Sequence, residues 1–120
     1  MVTICYHSLV AAHLPDEVSR LAGEPLTRRL TRAALNGCLE LGLSPDLIWE
    51  VLASVGGPEC RFIKTLDSDL RANEKLDVYD ALVAGQPVYV KIKIVKAEAP
   101  ERLLVVLSFK RNEYYERNMR

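Results

Sequence analysis

A phenol and two ammonium groups recur at every second position of one segment of the chain. Residues 88–95 read V-Y-V-K-I-K-I-V, so Tyr89, Lys91 and Lys93 point to one face and four β-branched residues point to the other. This alternation predicts a half-buried strand whose polar face is open to solvent. Such a face could bind a polyanion, because ammonium groups neutralise phosphate charge.

A second segment should pair with this strand and add to its polar face. Residues 103–110 read L-L-V-V-L-S-F-K, which is typical of a central strand. A slip of one residue would turn every side chain to the wrong face, so we expect Tyr89 opposite Lys110 and Lys91 opposite Ser108. In this register the buried face receives Phe109, Leu107, Val105 and Leu103.

Two further groups of residues could support chemistry elsewhere in the chain. His7 and His13 could act as the pair of a two-histidine ribonuclease, since histidine titrates near neutral pH, or they could both lie on an N-terminal surface. Asp67 and Asp69 are carboxylates in a predicted loop with no third ligand beside them. We therefore expect no metal site and no cofactor.

Composition limits the class of protein. The three cysteines, Cys5, Cys38 and Cys60, are far apart and form no C-x-x-C pair, which indicates neither a disulfide framework nor a zinc site. A reducing cytoplasm fits this usage best. The longest wholly apolar run, residues 103–107, is too short to span a membrane.

Charge is distributed unevenly although the formal net charge is zero. Residues 1–60 carry four basic and seven acidic groups, whereas residues 61–120 carry twelve basic and nine acidic groups. The positive charge thus lies with the predicted sheet. A chain of 120 residues is expected to form a single domain over 1–120, with 112–120 as a candidate flexible tail.

The order of the predicted elements gives the fold class. Helices should begin at Pro15, after Thr31 and after Ser44, where proline or a capping hydroxyl precedes an apolar stripe. Strands are expected at residues 61–66 and 75–79, ahead of the hairpin. The sequence therefore predicts an α+β fold, with N-terminal helices packed on a C-terminal antiparallel sheet. Trp49, opposite the apolar stripe of its helix, could be a partner contact or a half-covered surface aromatic.

Several short segments together resemble a known family. They are R-A-A-L at 32–35, E-L-G-L at 40–43, F-I-K at 62–64, D-V-Y at 77–79, G-Q at 85–86, V-Y-V-K-I at 88–92 and V-L-S-F-K at 106–110. In this order and spacing, the chain resembles the MqsR (motility quorum-sensing regulator) toxins over residues 16–111. The resemblance implies a RelE-like toxin fold, messenger-RNA interferase activity, and neutralisation by a cognate antitoxin that binds zinc and carries a helix-turn-helix domain.

The resemblance also implies a site. Lys64, Tyr89 and Lys110 stand at the lysine and tyrosine positions that the family uses for cleavage. The substrate-binding residues are expected to be Lys91, Lys93, Ser108 and Arg111. The chain departs from the family motifs at Leu76, where the family has glutamine, and at Ile63, where it has tyrosine.

Cleavage of RNA without a metal would require these residue types. The neighbouring 2′-hydroxyl must lose a proton and attack the phosphate, while charge builds on the phosphorane oxygens and the leaving 5′-oxygen. Lys64 and Lys110 could stabilise that charge or shuttle a proton, and Tyr89 could orient the phosphate or act as the acid. The alternative is a catalytically weakened relative that binds RNA or the antitoxin, because Leu76 cannot supply the hydrogen bond of a glutamine.

Overall fold

The computed structural model describes residues 11–68, 74–98 and 101–113. The helices are α1 (Pro15–Ala22), α2 (Arg32–Glu40) and α3 (Asp46–Ala53), with a short 3-10 turn at Pro25–Thr27. The strands are β1 (Arg28–Leu30), β2 (Cys60–Asp67), β3 (Lys75–Val83), β4 (Gln86–Lys96) and β5 (Arg102–Arg111). They form one sheet in the order β1-β5-β4-β3-β2. The predicted α+β fold, helices first and strands last, is confirmed.

One strand was not predicted from the sequence. β2 to β5 form an antiparallel meander, but β1 pairs with β5 in parallel, with Arg28 opposite Leu104 and Leu30 opposite Val106. A three-residue strand is too short to show a period of two, and its partner lies more than seventy residues later in the chain. The sheet is therefore mixed.

The helices begin and end close to the capping, proline and glycine residues of the sequence. Pro15 occupies the first turn of α1, and the Thr31 hydroxyl accepts a hydrogen bond from the Ala34 backbone N–H at the start of α2. Gly42 has φ +75°, which only glycine adopts at no steric cost, and the chain can therefore reverse between α2 and α3. α3 begins at Asp46, one residue later than expected, and the Ser44 hydroxyl accepts from the Asp46 N–H.

All three helices pack on one face of the sheet. Each contributes fully or almost fully buried side chains to a single core, including Val18, Cys38 and Leu52. The sheet contributes Tyr79, Ala81, Val83, Val88, Val90, Ile92, Ile94, Leu104, Val106 and Phe109. α2 lies closest: a Cβ added to Gly37 would be 2.2 Å from the Phe109 carbonyl oxygen, so glycine is required for this approach.

The hairpin register is confirmed at one end and wrong at the other. Tyr89 pairs with Lys110 and Lys91 with Ser108, as predicted. The pairing then shifts, because Leu107 is an extra residue in β5 and Ile92 pairs with Val106. The fully buried residues are consequently Leu104 and Val106 rather than the predicted Leu103, Val105 and Leu107, which are half-buried.

A buried carboxylate attaches the segment before α1 to the sheet. Asp77 is fully buried, and its two oxygens accept hydrogen bonds from the backbone N–H groups of Ala12 and His13, each at 2.9 Å. The Thr65 hydroxyl on β2 also donates to it. Asp77 thus accepts hydrogen bonds from three donors in two other parts of the chain, which offsets the cost of burying its carboxylate.

Some sequence predictions concern residues outside the described ranges. His7, Cys5, Asp69 and residues 114–120 of the predicted tail are among them. Asn112 is described, and it is buried, with its N–H donating to the Pro87 carbonyl at 3.0 Å. In the ranges that the structure describes, no helix is long and apolar enough to cross a membrane.

Candidate active site

Two adjacent rows of side chains cross the sheet face opposite the helices, which we call the open face. The first row runs over four strands as Arg61, Asp80, Tyr89 and Lys110. The second row, one step further along the strands, is Lys64, Val78, Lys91 and Ser108. The three predicted catalytic residues, Lys64, Tyr89 and Lys110, are therefore all on this face and in neighbouring rows.

A β-bulge places Lys64 on the open face. Phe62 and Lys64 are two residues apart, so in a regular strand both would point to the same side. The β2–β3 pairing shifts at Ile63, and Phe62 pairs with Tyr79 while Lys64 pairs with Val78. The Phe62 ring can then pack edge-to-face on Tyr79 in the core, with centroids 6.0 Å apart, while Lys64 faces the opposite way.

The bulge at Leu107 has the same consequence in β5. Val106 and Phe109 are three residues apart, yet both are fully buried on the helix side. Ser108 and Lys110 consequently keep the open face, opposite Lys91 and Tyr89. Two bulges thus allow both strands to bury aromatic and aliphatic side chains while presenting polar ones a few residues away.

Tyr89 and Lys110 are in direct contact. The Lys110 Nζ lies 5.4 Å from the centroid of the Tyr89 ring, within cation–π range. Burial raises the pKa of the Tyr89 phenol above its usual value. At neutral pH the phenol is therefore protonated, which makes it a hydrogen-bond donor or a general acid rather than a base.

Sequence reasoning missed a carboxylate in the first row. Asp80 accepts from the Arg61 guanidinium at 2.9 Å through one oxygen and from the Asn112 side-chain amide at 2.8 Å through the other. The predicted strand ended at Tyr79, whereas β3 continues to Val83. The turn glycine, Gly85, was visible in the sequence, and counting back from it along both strands would have set Asp80 opposite Tyr89.

Two predicted substrate-binding residues are placed differently from the rest. Lys93 forms an ion pair with Glu74 at 2.9 Å, and the two side chains are only 19% and 17% exposed. Arg111 pairs with Val88 and so lies on the helix side of the sheet, away from Lys110. Lys91 and Ser108 are the members of the predicted substrate-binding set that share the second row with Lys64.

The remaining sequence candidates lie apart from these rows. The His13 ring nitrogen Nε2 is 3.2 Å from the Lys75 carbonyl oxygen and 3.4 Å from the Ile94 nitrogen, so the ring contacts the backbone of two strands. Trp49 is half-buried, and the Arg28 guanidinium lies over its ring at 4.8 Å. Across residues 11–68, 74–98 and 101–113, no three histidine, cysteine or acidic side chains group as metal ligands.

Cys60, next to Arg61 at the end of the first row, is a buried thiol with a perturbed pKa. Burial, together with the nearby Asp80 carboxylate, raises the pKa of Cys60 from its ordinary value of 9.0 to about 12. Between these two pH values the unfolded chain loses the thiol proton while the folded chain keeps it, so stability must fall as pH rises. Cys60 therefore links folding to alkaline pH.

This linkage gives a testable pH dependence. We expect the free energy of unfolding to decrease as pH rises from 9 towards 12, and Cys60→Ala to show a shallower decrease. Urea denaturation at pH 7.5 and pH 10.5 gives the change in the free energy of unfolding with pH for each protein. Packing that is lost with the sulfur atom lowers stability at both pH values and does not affect this change. An equal change with pH in the variant and the wild type would contradict the assignment of this pH dependence to Cys60.

Comparison with known protein families identifies the family of this chain. The family model described as "Motility quorum-sensing regulator, toxin of MqsA" matches residues 11–111. The chain belongs to the MqsR toxin family. It is accordingly a toxin of a toxin–antitoxin system, with an antitoxin as its partner. The match spans both rows of the open face and ends one residue before Asn112. A search of curated proteins finds no match.

Proposed function

We propose that this MqsR-family toxin is a metal-independent endoribonuclease that cleaves messenger RNA at short sequence motifs. The observation that supports this most is the placement of Lys64, Tyr89 and Lys110 in neighbouring rows of the open face. Two ammonium groups and a protonated phenol on one face supply the cations and donors that a phosphoryl transfer without a metal requires.

Each of the three side chains has a role in the proposed reaction. The 2′-hydroxyl gives its proton to water and attacks the adjacent phosphorus, and the bond to the 5′-oxygen breaks as that oxygen gains a proton from Tyr89 or from water. The products are a 2′,3′-cyclic phosphate and a 5′-hydroxyl. Lys64 and Lys110 stabilise the negative charge that builds on the phosphorane, and Tyr89 donates a hydrogen bond or a proton to an oxygen of the phosphate.

The second row extends the site along the RNA backbone. Lys91 lies between Val78 and Ser108, next to the proposed reacting position, and its side chain is half-exposed. It would contact a neighbouring phosphate and give binding that weakens with salt. Lys93 and Arg111 would contribute less, because one is paired with Glu74 and the other lies on the helix side.

The cellular setting follows from the family. We propose that the toxin acts in the cytoplasm, where messenger RNA is available. We also propose that its antitoxin binds zinc and carries a helix-turn-helix domain, like the antitoxins that are paired with the toxins of the resembled family. Free toxin would then cleave messenger RNA, whereas the toxin–antitoxin complex would not.

One observation favours a second candidate function. Leu76, at the position where the family has glutamine, pairs with Leu66 across β2 and β3. This apolar pair borders the second row and cannot donate a hydrogen bond to RNA. A chain with weakened cleavage could still bind RNA or the antitoxin through the lysines of the open face.

Expression of the toxin without its antitoxin distinguishes the two candidates. We expect the wild-type chain to arrest growth, and purified Leu76→Gln to cleave RNA faster than the wild type, because a polar side chain returns beside Lys64. Leu39→Gln is the matched control, since Leu39 is 54% exposed on α2, away from the open face. A harmless wild-type chain together with an inert Leu76→Gln variant would favour the binding module instead.

A further inference from the structure

An open pocket lies beside Arg61 and Asp80, on the side of the first row away from the second row. Its volume is about 300 Å³. The residues that form it include Pro58, Glu59, Arg61, Asp80, Leu82 and Pro87. Asp80 pairs with Tyr89 across β3 and β4, so the pocket borders the proposed catalytic residues. An RNA whose scissile phosphate contacts Tyr89 would place an adjacent nucleotide at this pocket.

The pocket has one guanidinium, which is paired with a carboxylate and is still accessible. A single nitrogen of Arg61 bonds to Asp80 at 2.9 Å, and the Arg61 side chain remains 58% exposed. The Asp80 side chain is only 11% exposed, and its second oxygen accepts from the Asn112 amide. Asp80, which Asn112 orients, therefore attracts the guanidinium to the pocket through one nitrogen, while its other N–H donors stay available to a ligand.

The charge of the pocket disfavours a phosphate. Two carboxylates, Glu59 and Asp80, accompany the single guanidinium, so the pocket is not a net positive site of the kind that binds a phosphate group. Its walls also offer apolar surface, because Leu82 is 47% exposed and two prolines lie beside it. A flat neutral ring with polar atoms on its edge fits both properties.

A nucleobase has this chemistry, and the purines match it best. Arginine commonly reads the two acceptors of guanine, N7 and O6, and on adenine it can still donate to N7. Apolar side chains can cover the face of a base that is out of its stack. A volume of about 300 Å³ is at the lower end of small-ligand pockets and is large enough for one base.

We propose that this pocket binds a purine of the RNA substrate beside the scissile phosphate, with Arg61 contacting N7. Asp80 and Asn112 act as positioning residues for the Arg61 guanidinium. This inference rests on the proposed function for its substrate class, and it adds that part of the sequence preference lies in the first row. The catalytic residues then need not read the base.

Binding of RNA that cannot be cleaved tests this pocket separately from catalysis. The full chain is titrated with two fluorescent RNA pools, one all purine and one all pyrimidine. Both are 2′-O-methylated so that the attacking hydroxyl is blocked. We expect Arg61→Ala to lower the purine-to-pyrimidine affinity ratio by about tenfold, since a good side-chain contact to a base edge discriminates by roughly 1 to 3 kcal/mol. Arg61→Lys keeps the charge but loses the fork of donors, so it should lower the ratio as well.

Two variants serve as controls. Arg20 is also an exposed arginine, 66% accessible and paired with Glu17, but it lies on α1, so Arg20→Ala should change neither affinity. Lys91→Ala should weaken both pools by the same factor, as expected for a phosphate contact.

The possible results separate the pocket from the nuclease. An equal loss for both pools in Arg61→Ala would identify a phosphate contact and overturn the proposal, and so would unchanged binding of both pools. If the purine preference depends on Arg61 but unmodified RNA is not cleaved, the proposed base-binding pocket is supported and the proposed nuclease activity is contradicted.

Discussion

Lys64→Ala, Tyr89→Phe and Lys110→Ala should each slow RNA cleavage by about 10²- to 10³-fold. Each substitution removes a donor or a cation from the position where charge builds in the transition state. The three residues come from β2, β4 and β5, and the strand register places them on one face of the sheet in adjacent rows. Single-turnover rates at saturating RNA measure this loss without a contribution from binding.

Lys96→Ala is the matched control for the lysine variants. Lys96 is an exposed lysine at the far end of β4, where it pairs with Arg102 rather than with a member of either row. Its loss should leave the rate unchanged. If Lys64→Ala and Lys110→Ala cleave as fast as Lys96→Ala, the open face is not the catalytic surface.

Leu104→Ala should destabilise the protein by about 2–5 kcal/mol, and Leu107→Ala by clearly less. The sequence pattern predicts the opposite order, because perfect alternation would bury Leu107. Leu104 is instead fully buried opposite Ile94 and beside β1, so truncation leaves a cavity at the centre of the sheet. Leu107 is the extra residue of the bulge and remains half-buried.

Urea denaturation of the two variants tests this order. The free energy of unfolding at a common pH gives both losses, and similar slopes with denaturant would show that both native states are equally compact. A larger loss for Leu107→Ala than for Leu104→Ala would mean that the bulge is misplaced.

The sequence predicts the central hairpin well because alternation acts over short distances. Tyr89 and Lys110 face each other as expected, since one slip would bury lysines. The bulges at Ile63 and Leu107 could not be predicted in this way. Each arises from packing, in which Phe62 or Phe109 takes a core position and the strand gains one residue to keep its other side chains facing solvent.

The placement of the candidate site residues on the open face could be predicted in part for the same reason. Tyr89, Lys91 and Lys110 follow from the hairpin, and Lys64 follows from the family motif. Asp80 was missed because the predicted β3 was too short. The pairing of Lys93 with Glu74 joins residues nineteen positions apart, and it depends on how the start of β3 approaches β4. Such contacts are a property of the folded sheet rather than of any local pattern.

Incubation of purified toxin with a messenger RNA in excess EDTA tests the central claim most directly. If Lys64, Tyr89 and Lys110 carry out the reaction without a metal, the RNA should be cut at specific sites, and each fragment should end in a 2′,3′-cyclic phosphate or begin with a 5′-hydroxyl. Intact RNA in EDTA, with cleavage only after Mg²⁺ is added, would contradict the account, and so would fragments that carry 5′-phosphates.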